Sequence, residues 1–312
     1  MFKTLKKVLM ASAILGAASS AVFADEINII VVSHGQANDP FWSVVKNGVT
    51  KAADDMKVNV DYRAPETFDM VAMSQLIEAA VNQEPDGLIV SIPDGDALGD
   101  AIKKAVAAGI PVISMNSGSD VSKSFGALLH VGQEEFDAGV AAGEKLADLG
   151  GKKGICVNQE VGNVSLDQRC AGFTKGFGGN VSILPTSNDP SEIAAKVRAA
   201  IDSDDAIDTI LALGAATAGE PSIQAVEDAG KHGKINIATF DMSPGFLQAI
   251  SDGKAAFAID QQQYLQGYLP VSFLALRARF GLMPGGNVPS GPNLITKDKA
   301  AQVVDLSAVG IR

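Results

Sequence analysis

Two cysteines and three histidines are all that 312 residues offer in the way of soft metal ligands, too few for a zinc ribbon or a Cys/His cluster. Basic charge is also scarce. Lys and Arg total 25 against 36 Asp and Glu, a formal net of −11, and no Lys/Arg cluster marks the body of the chain. Nucleic-acid binding needs a basic footprint, so that class of partner is excluded. Catalytic signatures are missing as well. After the first apolar run of the body comes Ser33-His34-Gly35-Gln36-Ala37-Asn38, with one Gly where a dinucleotide fingerprint needs three. Gly214 and Gly219 lead into Glu220-Pro221, not the Lys-Ser/Thr of a P-loop, and neither a Gly-x-Ser-x-Gly elbow nor a His-Glu-x-x-His helix occurs. What is present is ordinary globular composition, 46% hydrophobic and 20% charged, on a chain long enough for two domains.

The only long apolar run of low polarity lies at the N-terminus. Lys3, Lys6 and Lys7 precede Val8–Ala18, and Val22-Phe23-Ala24 then places small residues at −3 and −1 before Asp25-Glu26. That order reads as a secretory signal peptide over residues 1–24. The run is short of the roughly 20 residues a membrane span needs. Cleavage after Ala24 removes three Lys and no acid, which leaves 22 basic and 36 acidic residues and a net of −14. A lipid-anchored mature N-terminus is not expected, since no Cys sits at the junction. The later run 264–280 is broken by Pro270, Arg277 and Arg279. Export also changes the reading of Cys156 and Cys170, 14 residues apart. In an oxidising compartment they are a candidate disulfide, the alternative being two buried free thiols.

Short β-branched runs alternate with amphipathic helical spacing along the rest of the chain. Strands are predicted at 27–32, 58–62, 87–91, 111–115 and 127–131, with helices at 41–57, 70–82 and 97–108 between them. The alternation restarts with strands at 154–158, 181–184, 209–213, 235–239 and 256–259. Its helices are predicted at 135–149, 166–177, 191–203, 218–229, 244–251 and 262–280, and a Gly/Pro-rich tail closes the chain. Such βαβα order predicts α/β architecture, two doubly wound parallel-sheet lobes. Ligands of open parallel sheets bind beyond the carboxyl ends of the strands. The informative loops are therefore 33–40, 91–96, 115–120, 159–169, 214–217, 240–243 and 260–263. They are rich in Asp, Asn, Gln, Ser and Gly, with Phe41 and Trp42 beside the first, a set suited to hydroxyls and a flat apolar ring face. His34 stands alone in its loop and is expected as a polar contact, not a base. Asp54-Asp55 and Asp204-Asp205 read as solvated surface.

The stretch NIIVVSHGQANDPFWSVVKNGVTKAA (28–53) resembles the periplasmic sugar-binding proteins of the ribose/galactose ABC-transporter family. The likeness continues through 86–117, RCAGF at 169–173, and 235–267, in order along nearly the whole exported chain. It implies the type I periplasmic binding protein fold: two Rossmann-like lobes joined by three crossover strands near Gln133, Gln261 and Asn293. The lobes are then expected at 25–132 plus 262–293 and at 133–261 plus 294–312. Residue by residue, Asp39, Phe41 and Trp42 match the family's Asn/Asp-Pro-aromatic-aromatic segment, whose rings sandwich a sugar and whose polar residue binds hydroxyls. The alternative for Phe41 and Trp42 is simple core packing. Asn116 matches a hydroxyl-binding position after the fourth strand, and Arg169 the Arg that forks onto adjacent hydroxyls. Asp241 matches the hydroxyl-binding Asp and Gln261 the hinge Gln; each of these three could instead cap a helix or tie the hinge. Ser33 and His34 join the candidate set from the first loop, which is two residues longer than the family's and adds Gln36 and Asn38.

Two departures stand out. Asn116-Ser117 replaces an Asp-Arg pair, and Gly214-Ala215-Ala216 replaces Asn-Asp. Both predict a less charged, locally roomier pocket for a different pentose, a hexose, an amino sugar or a polyol. The resemblance implies a monomeric periplasmic receptor, with no catalytic role, cofactor or metal, that hands this ligand to an inner-membrane ABC permease. The same closure could report to a sensor kinase or chemoreceptor. A repressor of this fold would need a basic helix-turn-helix where this chain has an export signal.

Overall fold

The computed structural model describes residues 26–35 and 39–312; the signal peptide assignment and Gln36 and Asn38 lie outside them. The first half builds β1 (Asn28–Val32), α1 (Pro40–Met56), β2 (Asn59–Arg63), α2 (Met70–Val81), β3 (Gly87–Val90), α3 (Gly95–Ala107), β4 (Val112–Asn116), the short α4 (Ser119–Ser122) and β5 (His130–Gly132). The second builds α5 (Glu135–Asp148), β6 (Gly154–Asn158), α6 (Val164–Gly176), β7 (Val181–Pro185), α7 (Pro190–Ser203) and β8 (Thr209–Ala212). A π-helical turn, Ala215–Gly219, then leads into α8 (Glu220–Asp228), followed by β9 (Asn236–Phe240), α9 (Pro244–Asp252) and β10 (Phe257–Asp260). The chain closes with α10 (Gln263–Phe280), β11 (Val288–Pro289), β12 (Asn293–Ile295) and α11 (Lys297–Ala308).

Two six-stranded sheets result, in the orders β11-β5-β4-β3-β1-β2 and β12-β10-β9-β8-β6-β7. Every strand pair is parallel except β10–β12. The chain passes from the first sheet to the second after β5, returns after β10, and crosses again between β11 and β12. Apolar residues fill both faces of each sheet, as the continuous apolar runs Ile29–Val32 in β1 and Ile210–Ala212 in β8 require. The segment expected as a tail is structured. In α11, Ala300, Val303 and Ser307 fall on one face at helical spacing and are buried, the first two in the second lobe's core beside α9. Cys156 in β6 and Cys170 in α6, both fully buried, are joined by a disulfide.

One helix pair in each lobe crosses at backbone contact. In the first lobe, a Cβ added at Gly48 of α1 would lie 2.1 Å from the Tyr264 carbonyl oxygen of α10, and one at Gly267 would lie 2.1 Å from that of Val45. In the second lobe, a Cβ at Gly172 of α6 would lie 2.1 Å from the Phe136 oxygen of α5, and one at Gly139 would lie 2.3 Å from that of Arg169. Glycine within a helix costs about 1 kcal/mol relative to Ala. Here it permits an approach that no side chain could share. Gly48→Ala and Gly172→Ala are therefore expected to destabilise the protein by about 1–3 kcal/mol through overpacking. The sign is opposite to that for an exposed helical glycine, and a melting temperature that stays level or rises would contradict the close crossing.

Candidate functional site

Six chain segments line one cavity between the lobes. Asp39 caps α1, its Oδ1 accepting the Phe41 N–H at 2.9 Å, with Pro40 in the first turn. Phe41 and Trp42 follow with ring centroids 5.2 Å apart, and Trp42 stands edge-on to His34 at 4.7 Å. Trp42 lies so close over Gly35 that a Cβ there would fall 1.9 Å from the indole, so this position has room only for glycine. The indole is 5% exposed and belongs to the first lobe's core while also bordering the cavity. One side chain is therefore both packed in the core and placed at the cavity wall.

Asn116 ends β4 and Asp241 follows β9, each with a left-handed backbone, φ 63° and 67°. Asn and Asp tolerate that region better than branched residues do. Gln261, between the strand β10 and the helix α10, links the two: its Nε2 donates to Asp241 Oδ1, and its Oε1 accepts from Asn116 Nδ2 at 3.4 Å and from Gln266 Nε2 at 2.9 Å. Asn116 Nδ2 also reaches Gln266 Oε1 at 3.1 Å. Much of the Asn116 amide is thus engaged in tying the hinge.

Arg169 enters from α6 and is 3% exposed. Glu135, at the start of α5, takes its Nε at 2.6 Å and its Nη2 at 2.9 Å. The Leu213 carbonyl lies 3.4 Å from Nη1, and the Phe240 ring underlies the guanidinium at 4.4 Å. Burial opposes the Arg169 charge, but Glu135 outweighs it and raises the pKa above the ordinary value. The Nε–Nη2 edge being spent on Glu135, the Nη1–Nη2 edge retains donor capacity.

His34 is pinned by Ser91, whose Oγ lies 2.8 Å from Nδ1 and accepts the His34 N–H at 3.0 Å. Burial lowers its pKa to about 4, against the pull of Glu160, so the ring is neutral near pH 7. Ser33 turns away: its hydroxyl bonds the Tyr62 hydroxyl at 2.8 Å and does not border the cavity. Of the nine sequence-derived candidates, His34, Asp39, Phe41, Trp42, Asn116, Arg169, Asp241 and Gln261 line one cavity of about 520 Å³, its open mouth included.

Sequence reasoning missed Glu135, Gln159, Glu160 and Asn163. Asn163 caps α6 and approaches His34 Nε2 at 3.4 Å; Glu160 accepts from Asn163 Nδ2 at 2.8 Å. The last three fall in the 159–169 loop, so strand-end topology pointed to them, whereas nothing in the sequence pairs Glu135 with Arg169. Glu160 makes the cavity more acidic than expected, with Asp39 and Asp241 as the other carboxyls. Burial, then Glu160, pushes Asp39 up to about 6; burial pushes Asp241 up to about 7 despite Arg169 and Gln261. At the rim the lobes touch: Val164 N–H donates to the Pro93 carbonyl at 2.9 Å, and Gln168 Nε2 to Asp120 Oδ2 at 3.1 Å.

Removing one member of a buried ion pair strands the other charge, at a cost of about 3–5 kcal/mol. Arg169→Ala and Glu135→Ala should each lower the denaturation midpoint accordingly, and the double variant should lose far less than the sum. Additive losses in that cycle would mean that the two side chains do not act as a pair.

The chain matches the periplasmic binding protein domain over residues 29–281. It is similar to the xylose/arabinose-binding protein of Sulfolobus acidocaldarius, 25% identical over 257 residues, which are 78% of this chain and 64% of that protein. The chain thus spans just under two thirds of that relative. The ribose import binding protein of Escherichia coli is 24% identical over 271 residues, 83% of this chain and 87% of that one. Among solved structures, a carbohydrate transporter from Acidothermus cellulolyticus 11B in complex with myo-inositol is 37% identical, with a TM-score of 0.86 over 92% of this chain and 100% of that one. A match of this extent, on the fold that the two sheets display, means that the chain belongs to the periplasmic binding protein family.

Proposed function

We propose that this protein is the periplasmic solute-binding component of an ABC importer, exported by the segment 1–24, and that it captures a neutral polyhydroxylated ring for an inner-membrane permease. The observation that carries the reading is the bipartite cavity. His34, Asp39, Phe41 and Trp42 come from one lobe, Gln159, Glu160, Arg169 and Asp241 from the other, and Gln261 from the hinge between them. A ligand bonded to both sides is bound best when the lobes meet, so it shifts the population toward the closed form. The lobes are taken as 25–132 plus 262–293 and 133–261 plus 294–312. The relatives named for ribose, xylose and arabinose, and the similar protein in complex with myo-inositol, support this ligand class.

Charge narrows the class further. Asp39, Glu160 and Asp241 face the cavity with a single cation, Arg169, whose charge Glu135 already balances. Anionic ligands would meet uncompensated carboxylates, while hydroxyls can donate to them in charge-assisted hydrogen bonds. A thermal-shift screen of the mature protein should find stabilisation of about 2.7 kcal/mol at a hundredfold excess over Kd with an aldose, inositol or other polyol. Inositol phosphates and hexuronates should give none. Asp241→Asn and Phe41→Ala should weaken the hit tenfold or more without unfolding the protein. A screen in which no polyhydroxylated ring shifts the melting temperature would sink the reading.

Closure also has a pH dependence. In an open cleft, Asp39 and Asp241 are solvated and titrate near the ordinary value of about 4. The closed cleft holds them at about 6 and about 7 through burial, so closing takes up protons between those limits. Closure without ligand therefore becomes less favourable as pH rises from about 4 to 7. X-ray scattering should give a smaller radius of gyration at pH 5 than at pH 8 in the absence of ligand, and Asp241→Asn should flatten the difference.

A further inference from the structure

Gln159 follows β6 and borders the cavity, yet it has no place in the hinge and ion-pair networks around it. Its side chain lies against Gly214: a Cβ at that glycine would come within 2.9 Å of Gln159 Nε2 and 2.6 Å of Thr217 Oγ1. The residue is only 8% exposed, and its Oε1 has no hydrogen-bond partner among the described residues. A buried amide oxygen without a donor is unfavourable, and native structures rarely leave one so. Asn163 and Asn188, the nearby amide donors, both point to Glu160. Beside Gln159, the wall formed by Gly214, Ala215 and Ala216 carries no side chain larger than a methyl. An amide oxygen without a donor and a wall of small residues, Gly214 itself packed against Gln159 and Thr217, therefore coincide on the second lobe's side of the cavity.

We propose that Gln159 is a specificity-determining residue: its carboxamide takes a hydroxyl donated by the ligand, beside the short side chains of Ala215 and Ala216. The inference rests on the sugar- and polyol-binding reading and adds a requirement to it. The ligand must carry a donating hydroxyl at this one position. A site built to bond a hydroxyl rejects the analogue that lacks it, because its own polar group is then left unpartnered.

Calorimetry with myo-inositol, D-xylose and D-arabinose, together with their monodeoxy and mono-O-methyl analogues, tests this on the mature wild type and on Gln159→Met, which keeps the length of the side chain. In the wild type, loss or methylation of one particular hydroxyl should weaken binding about tenfold or more. In Gln159→Met the parent compound should be weakened by a similar factor, and the same analogue should suffer no further loss. Gln159→Glu, which retains acceptor oxygens, should keep the discrimination at that position, and it supplies the comparison if the Met variant does not fold. A Gln159→Met protein with wild-type affinity, or an analogue profile that neither variant alters, overturns the proposal while leaving sugar binding intact. Failure of the folded wild type to bind any parent compound removes the underlying reading and this inference with it.

Discussion

Two backbone-to-backbone helix crossings set the geometry on which the cleft depends. The crossing of α1 with α10 accompanies the placing of the Asp39–Trp42 segment at the same cavity as the hinge glutamine Gln261, and the crossing of α5 with α6 brings Glu135 onto Arg169. Both crossings place glycine where a methyl would strike a carbonyl oxygen at about 2 Å. Side-chain packing would hold the helix axes 8–10 Å apart. Closer approach trades helix propensity for a fixed separation between the helices.

Within that frame, the polar groups of the cleft are arranged by what each needs once water is removed. Arg169 would be costly to bury alone, and Glu135 neutralises it while directing one edge of its fork into the cavity. Gln261 uses both ends of its amide, linking a first-lobe amide to a second-lobe carboxyl, so the hinge and the site share one network. Asn116 and Asp241 adopt left-handed backbones where the strands end, a conformation that costs of order 1–3 kcal/mol and persists because surrounding bonds over-determine it. Asp39, Glu160 and Asp241 have no bidentate cation of this kind among the described residues, and Arg169 only partly offsets the burial of Asp241. Their desolvation opposes closing, and a ligand rich in hydroxyls would offset it.

Much of this was legible from residue order. The alternation of β-branched runs with helical spacing located every central strand to within a few residues, and strand-end topology pointed to the loops that line the cavity, including 159–169 and 214–217. The C-terminal segment reads as a tail from Gly and Pro at 281–292, yet it folds into β11, β12 and α11. The helical spacing of Ala300, Val303 and Ser307 just beyond that Gly/Pro stretch was the available signal. Ser33 was chosen for its loop, but strand alternation turns its hydroxyl toward Tyr62. Glu135 carried no signal at all, since its partner lies 34 residues away and only the α5–α6 crossing makes them neighbours.

The sequence by itself determined the α/β class, the doubled architecture, the acidic balance and most of the residues around the cleft, because periodicity and loop position are local properties of the chain. Only the tertiary structure decided which polar groups remain available there. Arg169 is half spent on Glu135, Asn116 is drawn into the hinge, Glu160 is added, and Gln159 Oε1 is left without a donor among the described residues. The reason is physical: hydrogen-bonding capacity is consumed by whichever neighbour arrives first, and those neighbours are set by helix crossings between segments far apart in the chain.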